Sequence, residues 1–195
     1  MVDTAVKAAR DARKAEGQQV RAARIRDAAR DILGEVGITG LTMRAVAARA
    51  GYTAGSVYSY FVSKEALLAA LAVDEIDQLG RALRQQPDGS LANRADACVP
   101  VLRRVVPLLT AARRGDVPED TERALTGRII VILRLLDQSI PGGGPRDEDT
   151  SARALDTIGL WSALVGIALL SGSGRFASLN VNETDVTQAL IARFT

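Results

Sequence analysis

No histidine occurs anywhere in the 195 residues, and cysteine occurs once, at Cys98. A chain without imidazole lacks the commonest general base near neutral pH, so proton transfer would fall to carboxylates, Lys, Tyr or the thiol. That argues against an enzyme. A lone cysteine cannot close an intramolecular disulfide, and without histidine it belongs to neither a nucleophilic triad nor a zinc site. Cys98 is therefore expected as a small buried residue, and neither a metal nor a cofactor is called for. Met1 to Gly17 lacks a continuous apolar run, so no secretory signal is read there and the chain is placed in the cytoplasm. Strand-period alternation is absent too, which leaves helix as the regular structure.

What is present is a 47% apolar composition, enough at this length to bury a core in one or two domains. The net charge of +2 is unevenly spread: up to Lys64 there are 11 Lys/Arg against 6 Asp/Glu, and beyond it 14 against 17. The basic excess lies in the first third, as it would if that third approached a polyanion.

The segment to about Val20 is rich in Ala, Arg and Lys without an apolar stripe, and reads as a mobile or partly helical basic arm. Ile25, Ala28, Ala29, Ile32, Leu33 and Val36 then recur at helical spacing until Gly37, where a left-handed C-cap suits the chain. Thr42 is a good N-cap, and Leu41 and Val46 form a hydrophobic staple, so a short second helix should run to Ala50 before Gly51 turns the chain. Thr53 caps a third helix of about two turns, in which Val57 and Phe61 face inward while Ser56 and Tyr60 face out. Ser63 caps a fourth, with Leu67, Leu68, Leu71, Ile76, Leu79 and Leu83 as its stripe, ending at Pro87-Asp88-Gly89. Later helices are expected over Leu91 to Ala112, interrupted by Pro100 and Pro107, over Pro118 to Ser139, Thr150 to Ser171 and Glu183 to Phe194. Ile140 to Asp149 reads as a loose surface loop.

A capped helix, a glycine turn and a second short helix with small residues at its start is the helix-turn-helix plan. Leu41-Thr-Met-Arg-Ala-Val-Ala-Ala-Arg-Ala-Gly51 and Ser56-Val-Tyr-Ser-Tyr-Phe-Val-Ser-Lys-Glu-Ala-Leu-Leu68 resemble the N-terminal signature of the TetR family over about Arg21 to Leu71. The resemblance implies an all-α homodimer. It would have a three-helix helix-turn-helix DNA-binding domain over residues 21–66, after an N-terminal arm over 1–20. A helical ligand-binding and dimerisation domain would follow over 67–195. It implies a repressor released from double-stranded DNA, at a palindromic operator, by a small-molecule ligand. By position, Arg44 matches a contact to base or phosphate, Thr42 and Lys64 match phosphate contacts, and Tyr58 and Tyr60 match backbone contacts. Thr53, Ala54, Gly55, Ser56 and Ser59 complete the expected DNA-binding set. Two departures stand out: Tyr52 replaces a small aliphatic residue, and Ser59-Tyr60 occupy positions where histidine is frequent.

Each assignment has a plainer counterpart. Arg44 could be a solvated helix-face charge and Lys64 an exposed first-turn residue. The two tyrosines could be ordinary core or surface aromatics, although two residues apart on a helix they cannot both point inward. Gly37 and Gly51 are read as structural. Thr157 to Gly174 carries no charge and is long enough to raise a membrane span, but Thr157, Ser162 and Ser171 interrupt it and no anchors frame it. A helix buried on two faces is preferred, with Gly159, Ala163 and Gly166 as a stripe for close helix approach at a subunit interface or in the chain's own core. A ligand pocket is expected between Ile129 to Leu136 and Leu160 to Leu170, with Arg128, Arg134, Trp161 and Ser162 as fixtures. Two rivals remain: an enzyme using Asp147, Glu148 and Asp149, and a ligand-independent helical scaffold or protein-binding regulator.

Overall fold

In the computed structural model the chain is described over residues 2–86, 89–113, 115–140 and 150–194, and no strand occurs among them. The elements are α1 (Val2–Gly40), α2 (Met43–Ala50), α3 (Ala54–Tyr58), α4 (Lys64–Gln85), α5 (Leu91–Ala112), α6 (Glu119–Asp137), α7 (Thr150–Gly172), α8 (Arg175–Ser178) and α9 (Glu183–Ile191). The segment expected as an arm is helical from Val2 and continuous with the first helix of the head. Helix α1 bends where glycine was expected to end it: Gly37 has φ 68°, a left-handed conformation that a side chain would strain.

Local chemistry fixes the short elements. The Thr42 side chain accepts from Ala45 N, Thr53 from Ser56 N and Ser63 from Ala66 N, so each hydroxyl satisfies an orphan donor of the helix it opens. Gly51 closes α2 at φ 75°. The staple pair Leu41 and Val46 is buried at 1% and 0% exposure. Together with Ile25, Ala29, Val57, Phe61 and Leu67 it makes the small core of the head.

Helix α4 leaves the head and packs against α5 and α6, while α5 packs against α7 and α9. Leu83, Leu102, Ile132, Leu136, Leu160 and Leu164 are fully buried between these helices. Pro100 and Pro107 do not interrupt α5 as expected; both lie within it. Proline removes the N–H that would bond the carbonyl four residues back. Both prolines are exposed, where water can reach the carbonyls left open, while Val99, Leu102, Val105 and Leu108 hold the helix down on its buried side. The short α8, followed by Asn180 at φ 54°, was not anticipated. The sequence pattern ran the last helix to Phe194, but α9 ends at Ile191.

Helix α7 is long and apolar enough to cross a membrane by length and composition alone, with mean hydropathy 1.7 over Arg153–Gly172. It is buried on one side, by Thr157, Leu160, Leu164, Ile167 and Ala168, rather than on two. The opposite stripe carries Leu155, Ile158 and Leu169, which are 68%, 51% and 54% exposed, with Gly159, Ser162 and Gly166 between them. At 100° per residue these six fall within about 100° of one another around the helix. A Cβ at Gly159 or Gly166 would meet nothing within 4 Å, so neither glycine is there for close packing inside the chain.

Candidate nucleic-acid interface

Helices α2 and α3 present one continuous exposed edge. Thr42 and Arg44 are exposed on α2, as are Thr53, Gly55, Ser56, Tyr58 and Ser59 on and around α3, with Ala54 half-buried among them. Arg44 has no hydrogen-bond or ionic partner among the described residues, so its guanidinium is available to a ligand outside the chain. The hydroxyls of α3 are mutually satisfied: Thr53 Oγ1 lies 3.0 Å from Ser56 Oγ, and Ser59 Oγ donates to the Ser56 carbonyl at 2.7 Å. They hold one another in place while staying open to a partner. Tyr58 is 47% exposed and points away from the buried Val57.

Tyr60 differs from expectation. Helix α3 ends at Tyr58, so the helical spacing that put Tyr60 beside Ser56 no longer applies, and its ring is half-buried against the core. The Arg21 guanidinium donates to the Tyr60 hydroxyl, and that hydrogen bond raises the Arg21 pKa above its ordinary value. Tyr52, the departure from the family pattern, lies under the Arg24 guanidinium at 5.8 Å from its ring centroid, a cation–π pair. Two arginines of α1 thus hold the two tyrosines that bracket α3, pairings between residues far apart in the chain that no local spacing announces.

Lys64 is not simply a free first-turn cation. Its Nζ donates to the Ile38 carbonyl at 2.7 Å, tying the start of α4 to the chain just past the Gly37 bend. Two of its three N–H groups remain for a phosphate. The head is further braced by Arg49, whose Nη1 and Nη2 bond the two Glu35 carboxylate oxygens at 3.0 and 2.7 Å. Arg49 holds the Glu35 carboxyl below its ordinary value through that hydrogen bond. Head and body are joined by Asp74 of α4, which takes Arg26 Nε at 2.7 Å and Arg30 Nη2 at 2.5 Å from α1.

The residues expected as ligand fixtures do not converge. Arg128 is engaged by its own helix, Nη1 to the Ala124 carbonyl at 3.2 Å, and by Asp77 of α4 at 3.3 Å, while Arg134 is exposed on another side of α6. Trp161 is half-buried, but Ser162 lies on the open stripe of α7 with its hydroxyl given to the Ile158 carbonyl at 2.8 Å. Asp147, Glu148 and Asp149, the carboxylates of the enzyme rival, lie outside the described residues.

The capped α2, the left-handed turn at Gly51 and the open α3 define a helix-turn-helix protein. Residues 25–71 match the family described as bacterial regulatory proteins, tetR family. The chain is 37% identical over 86 residues to the HTH-type transcriptional regulator BetI of Klebsiella pneumoniae (strain 342), a match that covers 42% of this chain and 44% of that protein. It therefore spans less than half the length of that curated relative. Its fold is similar to that of a TetR transcriptional regulator from Rhodococcus sp. RHA1, at TM-score 0.58 and 22% identity over 88% of this chain and 92% of the other. The multidrug binding protein EbrR complexed with ethidium is similar at TM-score 0.61 and 21% identity, over 90% of this chain and 99% of the other. Residues 25–71 are thus a DNA-binding head of the TetR type, and the all-helical fold around it is similar to that of solved TetR regulators.

Proposed function

We propose that the protein is a cytoplasmic transcriptional repressor that binds a palindromic operator as a homodimer and leaves it when a small-molecule ligand binds. In this reading residues 21–66 are the reading head and 67–195 the body that dimerises and takes the ligand. The basic segment over residues 1–20 adds affinity for the DNA backbone. The observation that carries the reading is the outward edge of α2 and α3, with Arg44 free and Gly55, Ser56, Tyr58 and Ser59 exposed around it. The second helix of such a unit enters the major groove, where small side chains permit close approach and a guanidinium can bond guanine bidentately.

The open stripe of α7 supports the two-fold assembly. Leu155, Ile158 and Leu169 form an exposed apolar ridge with glycines between its members, a shape that a second copy of the same helix can pack against. Two heads held by that interface would meet successive major grooves about one helical turn apart.

Selection of duplexes from a random pool by the purified protein, at two salt concentrations, tests the reading. An enriched palindrome is the expected result. A pool bound without enrichment, its binding vanishing as salt rises, would leave only nonspecific attraction and shift the reading to a protein-binding scaffold.

A further inference from the structure

A cleft of about 470 Å³ opens where α1, α4 and α5 meet, at the junction of head and body rather than between α6 and α7. That size is within the range of about 300–1,000 Å³ usual for small-molecule sites. Leu33 and Ile38 of α1, Leu71 of α4 and Leu108 of α5 give it apolar walls. Gly34 opens one side of it. The backbone there is ordinary helix and a Cβ would meet nothing within 4 Å, so neither strain nor packing calls for glycine at this position. A larger side chain there would extend into the cleft.

The charged residues of the lining indicate what the cleft can hold. Three are arginines and one is Glu75. Arg30 is paired with Asp27 at 2.6 Å and Asp74 at 2.5 Å, and Arg104 holds Glu75 through Nε and Nη2 at 3.0 and 2.9 Å. Arg103 alone is loosely held. Its Nη1 lies 3.5 Å from Ser171 Oγ and 3.6 Å from Glu183 Oε2, its Nε and Nη2 have no partner among the described residues, and its side chain is 48% exposed. A cation entering the cleft would face three guanidiniums and a carboxylate already engaged. An anion would meet an arginine with donors to spare, which can hold a carboxylate or sulfonate bidentately.

We propose that this cleft is the effector site and that its ligand is an amphipathic organic monoanion. The charged end pairs with Arg103 and the apolar body lies against Leu33, Ile38 and Leu108. The proposal rests on the ligand-responsive reading above. A body seated there touches α1 within a turn of the Gly37 bend, beside the Arg30–Asp74 pair that joins head to body. It therefore bears on contacts that set the pose of the head.

The test is calorimetric titration of the full chain, without DNA, using decanoate as the anion, decanol as its neutral counterpart and decyltrimethylammonium as the cation. Saturable decanoate binding is expected, at least tenfold tighter than decanol, with no competition from the cation. Arg103→Gln should weaken decanoate at least tenfold while leaving decanol unchanged. Gly34→Leu should abolish binding of both, with circular dichroism confirming that the helix content is kept. If that variant does not fold, the Arg103→Gln comparison decides alone. Absence of saturable decanoate binding, equal affinity for decanol, or wild-type binding by either folded variant overturns the proposal. Because the titration contains no DNA, its outcome is separate from that of the operator selection: a protein that finds no operator can still bind decanoate, and the converse.

Discussion

Replacing Lys64 by methionine separates two roles that one side chain combines. The apolar stem is kept and the ammonium is removed, so the Ile38 carbonyl loses the donor that sits 2.7 Å away. A hydrogen bond from a charged group contributes about 1.5–3 kcal/mol when buried. Lys64 is half-buried, so water can replace part of that bond, and a loss of about 1–2 kcal/mol is the reasonable figure. For a chain of this length that corresponds to roughly 2–4 °C in Tm per kcal/mol. Urea denaturation of the free protein measures the first effect: the midpoint should fall while the slope stays the same. Operator binding against salt measures the second, where loss of one phosphate contact should lower the slope by about 0.9. An unchanged denaturation midpoint would refute the structural role of the Ile38 bond. An unchanged salt slope would remove Lys64 from the DNA contacts.

Arg44→Ala should cost specific binding about 1–3 kcal/mol and relax base preference at one position, read by competition between operator and random duplexes; an equal loss on both would make Arg44 a phosphate contact. Leu169→Glu places a charge on the open stripe of α7 without disturbing the monomer core, since Leu169 is 54% exposed, and should turn a sedimenting dimer into a monomer of unchanged helicity. A dimer that persists would place the interface elsewhere. Burial pushes the Cys98 thiol up to about 12 from an ordinary 9.0, so alkylation near pH 8 should proceed only as fast as the chain unfolds. The same shift sets a pH dependence. Between about 9 and 12 the unfolded chain releases a proton that the folded one keeps, so this contribution is intact below pH 9 and is lost as pH rises. Cys98→Ala should flatten the alkaline limb of the stability profile relative to wild type.

Much of the head was legible because its determinants are local. Thr42, Thr53 and Ser63 cap helices a few residues downstream, Gly37 adopts positive φ at the bend of α1 and Gly51 where α2 ends, and the Leu41–Val46 staple closes within about one turn. These are short-range rules, and one sequence contains them. The position of Tyr60, the bond from Lys64 to Ile38 and the Arg49–Glu35 clamp were not legible, because each joins residues brought together only after α1 folds against α2 and α4. The prolines of α5 show the same divide. Local chemistry predicts a break at Pro100 and Pro107, and long-range burial of Val99, Leu102 and Leu108 keeps the helix whole.

The apolar run of α7 announced a helix but not its partner, and only the packed bundle shows one face against α5 and the other left open. The cleft proposed above as the effector site was not legible in the sequence. Hydrophobic stretches suggested walls between α6 and α7, whereas the cleft at the head lies where three helices fail to close around Gly34. The sequence by itself determined the helices of the head, their caps and the family signature they carry, since each follows from residues within a turn or two of one another. Cavities and free charges are set by what distant segments leave unfilled and unpaired, so the tertiary structure alone decided them.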